Sequence, residues 1–206
     1  MYIPEFNRIE DRDTSLAFLR ANPFAVLVSS LDGHPFATHV PLAVRERSGQ
    51  IVLRGHVAKA NPHWKSFGQE HESLVIFQGP HAYISPALYE IPESVPTWNY
   101  AAVHVYGRVS VVDENESRKI LEELIGEFDS SYAAQWASQS EEYRSRMVRH
   151  IVAFEMLASR LETKFKLSQN RTRQEQANIV RALANSGDSA VAGVAALMRL
   201  QGLGRP

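Results

Sequence analysis

The sequence predicts a mainly β chain of the α+β class, an antiparallel barrel with peripheral helices and a C-terminal helical hairpin. Three observations predict it. Roughly six to eight segments are rich in β-branched and aromatic residues, and most are joined by hairpin turns. Strands and helices do not alternate regularly, which argues against a doubly wound parallel sheet. Two helical patterns follow the last strand and close the chain. With 206 residues and an apolar fraction of 44%, the chain can bury a core without disulfides.

The elements follow in order. Leu16 and Leu19 share one face of a short helix that Asp13 or Thr14 can cap, and Asn22-Pro23 stops it. Phe24 to Leu31 reads as a strand. Asp32-Gly33 turns the chain, because both residues tolerate the backbone of a tight hairpin, and the return strand runs from His34 to Val44. After a turn at Glu46 to Gly49 a third strand covers Ile51 to His56. Asn61-Pro62 opens a helix with Trp64 and Phe67 inward. Leu74 to Gln78 and Ala82 to Ser85 are strands on either side of Gly79-Pro80. Pro86 to Pro96 is a proline-rich loop. Trp98 to Val112 is a long half-buried strand, with Val103, Val105, Val109 and Val111 at spacing two. Glu114 to Phe128 is a helix whose stripe is Ile120, Leu121, Leu124, Ile125 and Phe128. A more polar helix spans Tyr132 to Met147. Strands follow at Ile151 to Leu157 and Leu161 to Leu167. From Thr172 two helices flank Asn185 to Asp188. The expected organisation is a barrel domain over 1–170 and a helical extension over 171–206.

Composition narrows the chemistry. Twenty-two Lys and Arg against 23 Asp and Glu give a net charge of −1, so there is no global attraction to nucleic acid or anionic membrane. The absence of cysteine excludes disulfides, Fe–S clusters, thiolate zinc sites and thiol nucleophiles. No GxxxxGK[ST], GxGxxG after a strand, GxSxG or HExxH is present, and the eight histidines show no ligand spacing, so no metal is expected. The N-terminus has no apolar signal-like run and no segment is long enough to span a bilayer. A cytoplasmic location without a membrane partner is expected.

Three segments concentrate polar chemistry. In Gly55-His-Val-Ala-Lys-Ala-Asn-Pro-His-Trp64 a lysine precedes a capped helix start, where free N–H groups and the positive dipole end favour an anion. Lys59 and Asn61 can form a phosphate socket there. Capped helices outnumber anion sites, so by itself the segment favours a plain cap and a solvated lysine. The second segment runs from Gly79 to Pro86 with Val95 to His104. Its Tyr83, Ser85, Thr97, Trp98, Asn99, Tyr100 and His104 suit either the wall of a planar-ligand site or an aromatic core or interface. In Lys164-Phe-Lys-Leu-Ser-Gln-Asn-Arg171 the lysines suit a solvated edge strand, or Ser168 to Asn170 donate to a ligand's oxygen atoms.

Taken together, Arg20-Ala-Asn-Pro23, Ala37-Thr-His-Val-Pro-Leu42, Gly55 to Pro62, Gly79 to Pro86, Val95-Pro-Thr-Trp-Asn-Tyr100 with Val103-His104 and Gly107, and Lys166-Leu-Ser-Gln-Asn170 resemble the PaiB family over nearly the whole chain. That family is also described as FMN-binding negative transcriptional regulators. The resemblance implies an antiparallel split β-barrel of the flavin reductase and pyridoxamine-phosphate oxidase type, a homodimer, and FMN in a groove between subunits. It also implies that Lys59, Ala60 and Asn61 hold the phosphate end. Thr38, His39 and Val40 would pass the isoalloxazine, with His56, Trp98 and Asn99 lining the same groove. The chain departs from the family pattern at Leu88, at the acidic loop Glu90 to Ser94, and at Thr163.

Three functions follow from this reading. One is a flavin-binding regulator of transcription, acting directly or through a partner. Residues 171–206 hold five arginines against two acids, but the second tail helix carries only Arg199, so direct DNA contact is not supported by charge. Val191, Val194, Ala195 and Met198 instead suit a docking hairpin. The second is an FMN-dependent oxidoreductase in which His39, His56 or Tyr83 places a proton. The third is a haem-binding or haem-degrading split barrel, for which no histidine is singled out as a ligand.

Overall fold

The computed structural model describes residues 1–204. Seven strands form one antiparallel sheet in the order β2-β1-β5-β6-β7-β4-β3. They are β1 (Phe24–Leu31), β2 (His34–Pro41), β3 (Ala43–Arg47), β4 (Gln50–Ala58), β5 (Ser73–Ile84), β6 (Thr97–Val111) and β7 (Ile151–Lys166). The helices are α1 (Arg12–Ala21), α2 (Glu114–Phe128), α3 (Ala133–Ser138), α4 (Glu141–Arg149), α5 (Arg173–Ala184) and α6 (Ser189–Leu200). None of the described helices is long and apolar enough to cross a membrane.

The chain divides into two compact units. The central unit comprises Leu19–Phe77 and His104–Leu161, and the terminal unit Met1–Phe18, Gln78–Val103 and the chain from Glu162 onward.

In the central unit Asp32 and Gly33 both adopt positive φ, as a tight hairpin requires, and fix a register that pairs Leu27 with Thr38 and Val26 with His39. Inward positions of β1, β4, β5 and β7 place Leu27, Leu53, Val75, Phe77, Phe154 and Met156 out of solvent. Burying side chains of this size supplies most of the folding free energy, at about 1.5–3 kcal/mol each. Helix α2 sets Ile120 and Leu124 against Ala43 and Ala153. Its acidic face meets the sheet's arginines. Arg54 pairs with Glu116, Glu123 and Glu155, and Arg45 with Glu123 and Glu127.

In the terminal unit Ile84, Phe165, Leu167, Ile179, Val194 and Met198 are buried. Thr172 and Glu175 close a capping box on α5, and Asp188 caps α6 through the N–H groups of Ala190 and Val191. Gly193 lies so close to Pro80 that an added Cβ would stand 2.9 Å from the proline ring. The α5–α6 pair is thus packed into its unit along the apolar positions that the sequence marks for docking.

Several local expectations change. The cap of α1 is Asp11, whose carboxylate accepts the Thr14 N–H at 2.8 Å. The return strand breaks at Leu42. Gly79-Pro80 does not interrupt β5. Its pairing with β1 covers only Leu74–Ile76, so the missing proline N–H falls beyond that ladder. The expected pair of strands after Ile151 is one strand, since no Gly or Pro divides it. The polar helix from Tyr132 is two helices, because Ser140 caps the second by accepting from Tyr143 N–H. β7 is an interior strand, so the edge-strand reading of Lys164 and Lys166 does not hold.

Candidate functional site

In the central unit the segment after β4 begins a five-residue 3₁₀ helix, Pro62–Ser66, rather than the longer helix that the pattern suggests. Asn61 caps it. Its Oδ1 accepts the His63 N–H at 3.0 Å, and its Nδ2 donates to Thr38 Oγ1 at 3.1 Å. Asn61 therefore ties the turn to β2 with both ends of its amide, which makes it a positioning residue for its neighbours rather than a free anion donor.

His63 is the hub of this region and is fully buried. Its Nδ1 meets Thr38 Oγ1 at 2.8 Å, its Nε2 meets Ser29 Oγ at 2.9 Å, and Ser29 Oγ meets Ser73 Oγ at 2.7 Å. Either imidazole tautomer satisfies the chain, because each hydroxyl can donate or accept. Sequence reasoning did not select His63, Ser29 or Ser73. The signal was present in strand parity: Ser29 falls on the inward face with Ala25 and Leu27, and Ser73 with Val75 and Phe77. An inward hydroxyl needs a partner.

The remaining candidates on this unit are arranged as follows. Val40 is buried and offers a ligand only its backbone, on a strand at the edge of the sheet. His39 is exposed and stacks on Phe24, with ring centroids 6.0 Å apart. Lys59 and Ala60 are exposed. The backbone of Lys59 is pinned by its N–H to His150 O at 2.8 Å and by Trp64 Nε1 to its carbonyl at 3.0 Å. Its ammonium makes no ion pair among the described residues, and its fixed backbone stands two residues ahead of Asn61. His56, on β4, lies outside this network, and its buried Nδ1 has no hydrogen-bond partner among the described residues.

Burial holds both His56 and His63 below the usual imidazole pKa of 6.5. The unfolded chain therefore takes up these protons first as pH falls. Their contribution to stability is complete above about pH 6.5 and is lost as pH drops through their lowered folded values. Carboxylates such as Glu116, held below 4.5 first by its hydrogen bond to Lys119, act in a lower window. Urea unfolding across this range should show the midpoint falling from below pH 6.5, before the carboxylates titrate. A midpoint flat between about pH 7 and 5 would contradict the assignment.

Trp98 and Asn99 belong to the terminal unit. Trp98 is half exposed beside the rings of His81 and Tyr83, at 6.1 and 6.0 Å. Asn99 is fully buried. Its Nδ2 donates to Ser168 Oγ at 3.0 Å and Ser168 Oγ donates back to its Oδ1 at 3.1 Å. This exchange pins the Ser168 turn, which has a strained φ of 62°. Thr163 earns its place by a hydroxyl contact with Ser15 at 2.7 Å. Glu90, in the acidic loop, accepts from Thr172 Oγ1 at 3.0 Å. Leu88 accepts the Asn178 amide at its carbonyl, at 3.4 Å.

Comparison with known proteins supplies the class. Residues 1–160 match the family model described as "Putative FMN-binding domain". The chain is 33% identical over 200 residues to protease synthase and sporulation protein PAI 2 of Bacillus subtilis, covering 96% of each. An uncharacterized protein of Emericella nidulans is 28% identical over 227 residues, covering 89% of this chain and 90% of its own. Among solved structures, the FAD and heme binding protein from Mycobacterium smegmatis superposes with a TM-score of 0.62 at 15% identity, over 78% of this chain and 73% of that one. The flavocytochrome Anf3 from Azotobacter vinelandii gives 0.62 at 16%, over 80% and 72%. Likeness at that identity shows the fold, an antiparallel split barrel with peripheral helices. The chain belongs to the PaiB family of FMN-binding-domain proteins.

Proposed function

We propose that the chain is a cytoplasmic, homodimeric FMN-binding protein that acts, as its family description implies, as a negative regulator of transcription. Residues 1–170 form the flavin domain and 171–206 its helical extension. The observation that supports flavin binding most is the ammonium of Lys59, which makes no ion pair among the described residues and is carried on a pinned backbone two residues ahead of the Asn61 cap. The donor set fits FMN: the Lys59 ammonium suits a phosphate dianion, and the edge strand at Thr38 to Val40 offers backbone groups to a ring. When bound, FMN supplies a two-electron redox centre or a redox-sensitive ligand. The chain's own part is to bind and orient it through Lys59 and Thr38, with Asn61 and His63 holding Thr38 in place.

Regulation through a protein partner fits better than direct DNA readout. Helix α6 has a single basic residue, Arg199, and it buries Val194, Ala195 and Met198. Phosphate contacts need several basic groups on one surface. The test is an absorption spectrum of the purified chain followed by FMN titration. Flavin bands, or saturable FMN binding by the colourless protein, support the proposal. A Soret band without FMN binding overturns it in favour of haem. Oxidation of a nicotinamide by the FMN-loaded protein, without any effect on transcription, overturns the regulatory part in favour of an oxidoreductase.

A further inference from the structure

The terminal unit contains a cavity of about 400 Å³, within the roughly 300–1,000 Å³ usual for small-molecule sites. Its charge is one-sided. Lys164, Lys166 and Arg171 line it, and no acidic side chain does. Lys164 is only 7% exposed. Its Nζ donates to the Tyr2 carbonyl at 3.0 Å and lies 5.7 and 5.2 Å from the Tyr2 and Tyr100 ring centroids. Lys166 donates to Thr97 Oγ1. Among the described residues neither ammonium has a carboxylate partner. Arg171 is partly neutralised by Glu175 at 3.9 Å, and its guanidinium lies over the Tyr89 ring. Asn7, 2% exposed, lines the same cavity with an Oδ1 that has no hydrogen-bond partner among the described residues.

A buried ammonium satisfied only by a carbonyl and two ring faces retains an uncompensated charge, which is costly unless an anion completes it. The buried Asn7 oxygen likewise calls for a donor. Phe6, Val95 and Pro96 provide an apolar wall. We propose that this cavity binds a small aromatic oxyanion carrying a hydroxyl or N–H donor. Its carboxylate or phosphate is taken by Lys164 and Lys166, its donor by Asn7, and its flat body by the apolar wall. The proposal does not depend on the flavin reading, because Lys59, Thr38 and Asn61 belong to the central unit.

The test is calorimetric titration of the full chain with 4-hydroxybenzoate, 4-hydroxyphenyl phosphate and, as an uncharged comparison, phenol. The two anions are expected to bind at least about tenfold more tightly than phenol, since charge-assisted hydrogen bonds are the stronger kind. Lys166→Met is expected to weaken them about tenfold, while Lys65→Met, on the exposed surface of the other unit, leaves them unchanged. Lys166 is only partly buried, so its variant keeps the test sound if Lys164→Met fails to fold. An absence of saturable binding by either anion up to about 10 mM overturns the proposal, as does an affinity that Lys166→Met leaves within about twofold. Displacement of the probe by FMN also overturns it, by making the cavity part of the flavin site; a failure of FMN to bind at all would leave these results standing.

Discussion

Gly107→Ala is expected to cost the protein roughly 3 kcal/mol or more of stability, a large share of a typical domain's margin. A Cβ at this position in β6 would lie 2.2 Å from Leu157 O and 3.2 Å from Met156 Cε. The nearest obstacle is backbone in an interior strand, so no rotamer change relieves it. Either the β6–β7 ladder opens or both strands bow, and both responses lose hydrogen bonds and core packing. Gly126→Ala is the control, because an added Cβ there meets nothing within 4 Å and the site is an α2 helix position. Denaturant unfolding of the two variants should separate them widely. Equal midpoints would show that the strands part at little cost.

Lys59→Met is expected to lower FMN affinity about tenfold to a hundredfold without changing the fold. The side chain is solvent-exposed and makes no ion pair among the described residues, so its removal costs the folded protein little, and Met retains much of the aliphatic stem. What is lost is a cation that makes no ion pair among the described residues, two positions ahead of the Asn61 cap. Lys59→Arg should retain most of the binding. Thr38→Val, by contrast, leaves His63 Nδ1 without its partner and should lower stability and flavin affinity together. Titration by quenching of FMN fluorescence reads all three. Affinity within twofold of the parent in Lys59→Met would remove this residue from the site.

Much of the fold was legible because its signals are local. Asp32-Gly33 dictates a hairpin whatever surrounds it, Val103, Val105 and Val109 mark the inward face of β6 while Val111 at its end is half exposed, and the apolar stripe of α2 predicts which side docks. The tail helices were legible for the same reason, since Thr172 and Asp188 are strong caps and α6 lacks the basic residues of a nucleic-acid reader. The cap at Asn61 was legible in the same way, from an Asn-Pro pair ahead of a turn.

Other features depend on which segments meet. That Gly79-Pro80 continues a strand depends on where the β1 ladder ends. That Asn61 spends its amide on Thr38, and that His63 joins Ser29, Ser73 and Thr38, depends on β1, β2 and β5 converging around one turn. Lys164 reads as a solvated lysine in sequence, yet β7 is an interior strand and that ammonium is buried against Tyr2 and Tyr100. The sequence by itself determined the strands, caps, turns and family, because each is written in short-range patterns of side-chain shape and polarity. Only the tertiary structure decided which polar groups are left without partners, because that depends on contacts between residues far apart in the chain.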